Sequence, residues 1–370
     1  MATAQSKTSP LQDIKHVIAV CSAKGGVGKS TVAVNLAAAL AASRFKVGLL
    51  DADIYGPSFI YLNKTDKRPQ VEGDTILPVE VNGIQAMSMA MLKDSSEPLV
   101  WRAPMATQII HQFIHNVKWG ALDFLIIDLP PGTGDVQLTL AQQASIDGAI
   151  IITTPQTLAT GVAEKGLKMF RQLNIPVLGI VENMSQLICE HCGNPNDVFH
   201  SGGGEDLAKR QAVELLCQIP IDKKLTEASE QGVPVLMAYP DSVSALAFTY
   251  LAKRLCDRVE TSAGSDDEPI DYHLTPEGAL HIHWKDQIQK ISPYSLRTKC
   301  RCASCVDEMS GKPRLDPNSV PLDIQVTGLT KVGRYAFGIH FSDGHTTGIY
   351  PFKRLKALDA SVSQPPEIEL

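Results

Sequence analysis

Two lysines, Lys24 and Lys29, bracket a glycine-rich stretch, Ala23-Lys24-Gly25-Gly26-Val27-Gly28-Lys29-Ser30-Thr31. A loop of this kind wraps phosphates in backbone N–H groups. Its terminal lysine reaches the β and γ oxygens, and the hydroxyl that follows holds magnesium. Gly28-Lys29-Ser30 closes the G-x-x-x-x-G-K-(S/T) pattern, while Ala23 stands where that pattern opens on glycine. A small residue fits there if its φ is negative, and a positive φ would strain the loop. Lys24 has no place in the ordinary pattern and needs its own explanation.

Three carboxylates have the spacing to work with such a loop. Asp51 and Asp53 close "LLDAD", and Asp128 follows the four apolar residues of "FLIID", the pattern of an acidic group that holds magnesium, usually through water. A second chemistry is written in sulfur. The 8 cysteines are too few for a disulfide scaffold, but Cys189-x-x-Cys192 and Cys300-x-Cys302-x-x-Cys305 have metal-ligand spacing and suit a reducing compartment. A pair of thiolates supplies only half of the four ligands that tetrahedral zinc or a cubane cluster requires. Either the missing ligands come from elsewhere in the chain, with Cys217 or the two histidines His191 and His200 as candidates, or two chains each donate a pair. A redox couple is the main alternative for a lone Cys-x-x-Cys.

Elements able to position these groups are visible around them. Residues 14–258 alternate short β-branched runs ("HVIAV", "KVGLLD", "DFLIID", "GAIIITT", "PVLGIVEN") with stretches of helical period such as "STVAVNLAAALAAS". This predicts an α/β fold, a mainly parallel sheet flanked by helices, with Lys29 at the start of the first helix and the aspartates at strand ends. Residues 1–13 read as a flexible tail and 259–270 ("VETSAGSDDEPI") as an acidic linker. Residues 271–358 read as a small β-rich domain with a hairpin at Asp343-Gly344, and 359–370 as a second tail. "WRAPMATQIIHQFIHNVKWG", with Trp101, His111, His115 and Trp119, reads as an amphipathic helix with flanks, assigned to packing or dimer contact. Cys21, Cys217 and Cys256 read as core residues.

With 40 acidic against 34 basic residues, the chain lacks the balance of a broad nucleic-acid surface. No apolar run is long enough to span a bilayer, and residues 1–13 contain neither the apolar stretch of a secretory signal nor an arginine. The expectation is a cytoplasmic protein with no stable membrane insertion.

The unbroken "KGGVGKST", together with the carboxylates, resembles the deviant-Walker P-loop ATPases, the group of MinD, ParA and the nitrogenase iron protein. That resemblance gives Lys24 a role: it reaches across a homodimer to the partner's ATP while Lys29 serves its own, adding positive charge where the bridging oxygen becomes negative. It further implies phosphate contacts along Gly25, Gly26, Val27 and Gly28, Ser30 on magnesium, and Thr31 on the α-phosphate. Asp53 would orient the attacking water and Asp51 support the metal shell, or the two would exchange roles. Gly132 and Gly134 would free a switch loop, and Asn183 would read the adenine edge.

"GTGDVQLTLAQ", "VENMS" before Cys-x-x-Cys, "GGGEDLA" and "IPID…EASEQGVPV", in that order over residues 14 to about 255, resemble the Mrp/ApbC iron–sulfur cluster carriers. By that resemblance Cys189 and Cys192 hold a labile 4Fe-4S cluster between two subunits. The cluster comes from an upstream scaffold and passes to recipient apoproteins, with slow ATP hydrolysis affecting its handling. Many such carriers have a small domain ahead of the loop, where this chain has residues 1–13. The function of that domain is expected to come from another protein or to be absent. "SLRTKCRCASCVDEMSGKPRL" and "FSDGHTTGIYPFKRL" are similar to a small domain of plastid Mrp-type carriers and of γ-butyrobetaine hydroxylase N-termini. That likeness implies structural zinc on Cys300, Cys302, Cys305 and His345, with His340 as the competing fourth ligand. A second cluster site is the alternative at these thiols. The rival functions are a MinD/ParA-like positioning ATPase, a reductase donating electrons through a shared cluster, and a zinc-clamped dimeric ATPase.

Overall fold

The computed structural model describes residues 11, 13–54, 56–92, 103–132, 134–144, 146–189, 192–199, 201–263, 269–275, 278–302, 304–306, 312–332 and 336–358. His191, His200 and Trp101 lie outside the described residues, as do most of the N-terminal tail, residues 264–268 of the linker and the tail from 359. The chain divides into two compact units, residues 1–259 and 260–370.

In the first unit the strands are β1 (Ile14–Cys21), β2 (Val47–Asp51), β3 (Gln70–Glu72), β4 (Thr75–Leu77), β5 (Val79–Val81), β6 (Ile84–Ser88), β7 (Leu122–Asp128), β8 (Gly148–Thr153), β9 (Val177–Ile188), β10 (Pro195–Asn196) and β11 (Leu215–Ile221). The helices are α1 (Lys29–Ala42), α2 (Phe59–Leu62), α3 (Ala103–His115), α4 (Asp135–Gln143), α5 (Thr157–Gln172), α6 (Gly203–Gln211), α7 (Lys223–Gln231), α8 (Val235–Ala238) and α9 (Val243–Ala263). Nine strands form one sheet in the order β10-β9-β8-β1-β7-β2-β6-β5, with β11 also paired to β9. All pairs are parallel except the edges β5–β6 and β9–β10. β3 and β4 make a separate hairpin.

The runs "HVIAV", "FLII" and "AIII" are apolar at consecutive positions because both faces of their strands are covered. One face packs under α3, α4, α5 and α6 through residues such as Phe113, Leu140, Phe170 and Leu207. The other packs under α1, α7 and α9 through Leu36, Leu40, Ala228, Phe248 and Leu255. Helix α1 is buried almost all round, which explains its run of alanine, valine and leucine. Helix α9 runs to Ala263, past the start of the stretch read as linker, because "RLCDRVET" continues its helical period.

The second unit holds two antiparallel three-stranded sheets. The first is β12 (Asp271–Leu274), β13 (Leu280–His283) and β14 (Ile288–Ile291); the second is β15 (Val326–Val332), β16 (Ala336–Phe341) and β17 (Gly348–Pro351). Helices α10 (Pro293–Thr298) and α11 (Phe352–Lys356) accompany them. Leu280, Ile282, Trp284, Phe337, Tyr350 and Phe352 lie in their shared core. Asp343-Gly344 lies in the turn between β16 and β17, where Gly344 takes φ +82°. Among the described residues no helix is long and apolar enough to cross a membrane.

Candidate functional site

Strands β1, β2 and β7 are neighbours, and their carboxyl ends bring Asp51 and Asp128 side by side across the ladder, with Val20 opposite Asp128 on the other side. The glycine loop leaves β1 at that edge. Gly26 and Gly28 take φ +80° and +81°, which only glycine adopts without strain, and α1 starts from Gly28 with its first amides facing the loop. Ala23 is not in the left-handed region, so the departure from glycine there carries no backbone strain. Lys29 is only 6% exposed, and its ammonium is held by Asp128 Oδ1 and lies 3.2 Å from Ser30 Oγ. Lys24 is half-buried, and among the described residues its ammonium has no ion-pair partner.

The three aspartates are not equivalent. Asp51 accepts four hydrogen bonds, from the N–H groups of Asp53 (3.2 Å), Ser58 (3.1 Å) and Phe59 (3.1 Å) and from the Ser88 hydroxyl (3.0 Å). Burial, then the charge of Asp128, pushes its pKa up to about 7. Asp128 is raised as well, chiefly by burial, against the lowering effect of Lys29. Asp53 accepts one bond, from Gly56 N–H at 3.0 Å, and so keeps capacity for a further partner. Two buried, mutually repelling carboxylates beside a hydroxyl, with one lysine to balance them, are a donor set that fits a hard dication such as magnesium. Thr31 is the third residue of α1 and half-buried. Gly132, at φ +105°, donates its N–H to Ser22 O at 3.0 Å and ties the loop after Asp128 to the glycine loop.

Asn183, near the middle of β9, donates its amide to Val27 O at 2.9 Å, so it supports the glycine loop directly. Beside it opens a cavity of about 430 Å³ lined by Gly28, Thr31, Asn183, Met184, Phe199 and Pro220 among others. Sequence reasoning placed Asn183 and Thr31 near the nucleotide but gave no role to Met184, Phe199 or Pro220. Apolar residues contributed by separate elements carry no shared sequence signal. Met184 takes φ +55° inside a strand, at a register shift between β9 and β11. A non-glycine residue there is a local bulge held by its surroundings.

Strand β9 continues from this bulge to the Cys-x-x-Cys turn. Leu187 and Ile188 pair with Asn196 and Pro195 of β10, and the two cysteines lie in the turn between them. Cys189 N–H donates to Asn194 O (3.0 Å) and Gly193 N–H to Cys189 O (2.8 Å), with Gly193 at φ +70°. Cys189 is half-buried, Cys192 is exposed, and neither is in a disulfide. Cys217 is not brought to them. On β11 it pairs with Val181 of β9, its thiol donates to the carbonyls of Ala247 and Gln218, and burial pushes its pKa up to about 12.

The base of this excursion is fastened. Glu182, fully buried on β9, accepts hydrogen bonds from Gly204 N–H at the start of α6 and from Gln218 Nε2 at 2.8 Å. A Cβ on Gly203 would lie 2.1 Å from Pro155 O, and one on Gly204 would lie 2.9 Å from the Glu182 side chain. "GGGEDLA" therefore reflects a helix start pressed against backbone.

In the second unit the structure gathers Cys300, Cys302, Cys305 and His345, with one ligand atom of each within 4.8 Å of all the others. His345 Nε2 lies 3.3, 3.5 and 3.9 Å from the three sulfurs in that order. His345 is carried by the turn that follows β16, whereas His340 sits within the strand and is not in the set. Arg297 donates to Cys305 Sγ at 3.3 Å and to Asp343 Oδ2 at 2.6 Å; Thr347 donates to Cys302 Sγ at 3.3 Å. Burial, then the neighbouring Cys300, pushes Cys305 up to about 12, while burial holds His345 below its ordinary value and so neutral. Three thiols and a neutral imidazole at this spacing fit a closed tetrahedral zinc site.

Comparison with known proteins agrees with this geometry. Residues 13–256 match the family described as NUBPL iron-transfer P-loop NTPase, and residues 273–356 match the γ-butyrobetaine hydroxylase-like N-terminal family. An iron-sulfur cluster carrier protein of Pseudomonas fragi is 47% identical over 252 residues, 67% of this chain and 88% of that protein. An Arabidopsis thaliana iron-sulfur protein required for NADH dehydrogenase, mitochondrial, is 40% identical over 284 residues, 76% of this chain and 91% of that protein. Among solved structures, a nucleotide-binding protein from Archaeoglobus fulgidus in complex with ADP aligns with a TM-score of 0.55 and 41% identity, covering 61% of this chain and 90% of that one. On the strength of the glycine loop with its aspartates and of these matches, the chain belongs to the family of NUBPL iron-transfer P-loop NTPases.

Proposed function

We infer that this chain binds and slowly hydrolyses ATP and carries a 4Fe-4S cluster, taken from an upstream scaffold, to recipient apoproteins. The observation that carries the reading is strand β9. Asn183 holds the glycine loop and Met184 lines the adjoining cavity. A few residues further on come Cys189 and Cys192, and the chain returns through Phe199 to the same cavity. A nucleotide filling that cavity would touch the chain on both sides of the cysteine turn, so nucleotide state and cargo state share one element.

In this reading the glycine-loop amides and Lys29 bind the phosphates, and the base occupies the cavity beside Asn183. Lys29, held by Asp128 in the free protein, turns its ammonium to the β and γ oxygens. Ser30 and Asp128 would hold magnesium with Asp51 behind them, and the ion would neutralise phosphate charge. The four bonds on Asp51 support a supporting role for it, and the spare capacity of Asp53 supports its role in orienting water. Lys24 serves the nucleotide of a second copy in a homodimer, and the two Cys-x-x-Cys turns together supply four thiolates.

The domain reading that goes with this is an ATPase domain over 14–258 whose last helix runs on to Ala263, a linker over the remainder of 259–270 and a zinc-binding domain over 271–358. In this reading the protein works in the cytoplasm, a reducing compartment that suits unpaired metal-binding thiols. The test is iron, sulfide and zinc content with the visible spectrum on anaerobically purified protein and on the Cys189→Ser/Cys192→Ser variant. The expected result is about four iron and four sulfide per dimer, absent from the variant, with zinc retained in both. Zinc at Cys189 and Cys192 after reconstitution with iron and sulfide would overturn the carrier reading and leave a zinc-clamped dimeric ATPase.

A further inference from the structure

The β12–β14 sheet has two faces of opposite character. Leu280, Ile282, Gln289 and Ile291 turn into the core of the second unit. The alternate positions carry Asp271 and His273 on β12, His281 and His283 on β13, and Ile288 and Lys290 on β14. Register places His273 directly opposite His281, and Asp271 opposite His283. Lys290 and Ile288 pair with His281 and His283 from the other side.

Three imidazoles therefore share one patch. The ring centroid of His273 lies 5.0 Å from that of His281 and 6.0 Å from that of His283. Imidazoles bound to one tetrahedral ion through nitrogen at ordinary zinc distances have centroids roughly 5 Å apart. The His273–His281 spacing is that of a ligand pair, while His273–His283 is wider, so closing the set on one ion takes a small side-chain movement of His283. Rotation about the Cβ–Cγ bond, a soft torsion for histidine, swings the nitrogens while leaving the centroids nearly fixed. Two histidines two residues apart on a strand, with a third on the neighbouring strand, leave the outward coordination position open. Asp271 adds a carboxylate at the rim.

We propose that His273, His281 and His283 form a second metal site in this unit, for a divalent transition ion of the zinc, nickel or copper class that favours imidazole. Hard ions such as magnesium prefer oxygen donors and do not suit it. The site differs from the thiol cluster in donor type and in its open face. Such a site binds and releases its ion more readily than the closed thiol set, since only a closed set encloses the metal.

The test uses the full, tag-free chain with its thiol site intact, equilibrated with zinc ions and, separately, with copper(II). Metal is counted per chain after gel filtration, and imidazole nitrogen coupling is read in the copper spectrum. The chain should take up one equivalent more than the His281→Ala/His283→Ala variant, and His273→Ala should weaken that equivalent more than about tenfold. Replacing the exposed pair on α3, in a His111→Ala/His115→Ala variant, should leave uptake unchanged. His281→Gln/His283→Gln, which keeps side-chain volume and polarity, should lose the equivalent while leaving the urea midpoint unmoved. Equal uptake by the chain and its β13 variants would overturn the proposal. So would an additional equivalent that vanishes with the α3 pair.

Discussion

A Cβ placed on Gly28 would lie 2.2 Å from Asn183 Nδ2, and φ at Gly28 is +81°. Gly28→Ala therefore carries two separable costs. Holding an L-residue in the left-handed region costs about 1–2 kcal/mol. Pushing the Asn183 amide aside breaks its bond to Val27 O, worth about 1 kcal/mol. The single variant should lose about 2–3 kcal/mol of stability in the first unit by these terms. Asn183→Ala removes the obstacle but also the bond, for about 1–2 kcal/mol. In the double variant the lost bond is counted once, so the sum of the single effects should exceed the double by about 1 kcal/mol. Urea unfolding of the four proteins measures the cycle, and MgADP titration measures the accompanying loss of nucleotide affinity. Strict additivity would show that the two side chains do not compete for the same space and would refute the account of the loop. So would a Gly28→Ala variant that binds nucleotide like the parent.

Phe199→Ala opens the wall of the cavity at a residue that follows the cysteine turn and β10. It should weaken nucleotide binding severalfold and abolish the nucleotide dependence of iron release, while iron content without nucleotide stays unchanged; retained dependence would uncouple cavity from turn. His345→Ala removes one of four donors in the second unit and should cost one zinc per chain by metal analysis, with a lower melting transition that chelator treatment of the parent reproduces. The pH response follows from Asp51, whose native pKa is raised to about 7 from an ordinary 3.8. Its contribution to stability is present below the ordinary value and is lost as pH rises through the native one. In chelator and without nucleotide, the urea midpoint should fall as pH rises from about 4 to about 7, and Asp51→Asn should flatten that fall. A midpoint that climbs across the window would contradict the burial of Asp51.

Lys29, Ser30 and Asp128 were legible because each sits at the end of a buried strand or the start of a helix, where type and spacing survive in one dimension. The central strands were legible for a related reason: both faces are covered, so their runs are unbroken. β3, β4 and β5 escaped notice because each is three residues of mixed polarity, too short for a period to show. Met184, Phe199 and Pro220 look like core residues in sequence. Only the register shift in β9 and the return of the chain after β10 turn them toward one cavity. Gly203 and Gly204 stood out as a fingerprint, but the reason for them is a close approach to Pro155 and Glu182, which no local pattern encodes. His340 and His345 show the same limit, since one lies within a strand and the other in a turn of the same hairpin, and only the fold decides which reaches the thiols.

The bond from Gly204 to Glu182 makes the cysteine segment a closed loop before any cargo arrives. The chain from Asn183 to Gly203 leaves and re-enters the domain at two points already joined, so the entropy of bringing its ends together is met during folding. In the proposed reading, ordering Cys189 and Cys192 around a cluster then concerns only the few residues of the turn. Because the ends are fixed by the Gly204–Glu182 contact, loss of such a cluster would leave the sheet as it is. A tether of this kind lets the tip be filled and emptied repeatedly on a domain that stays folded throughout.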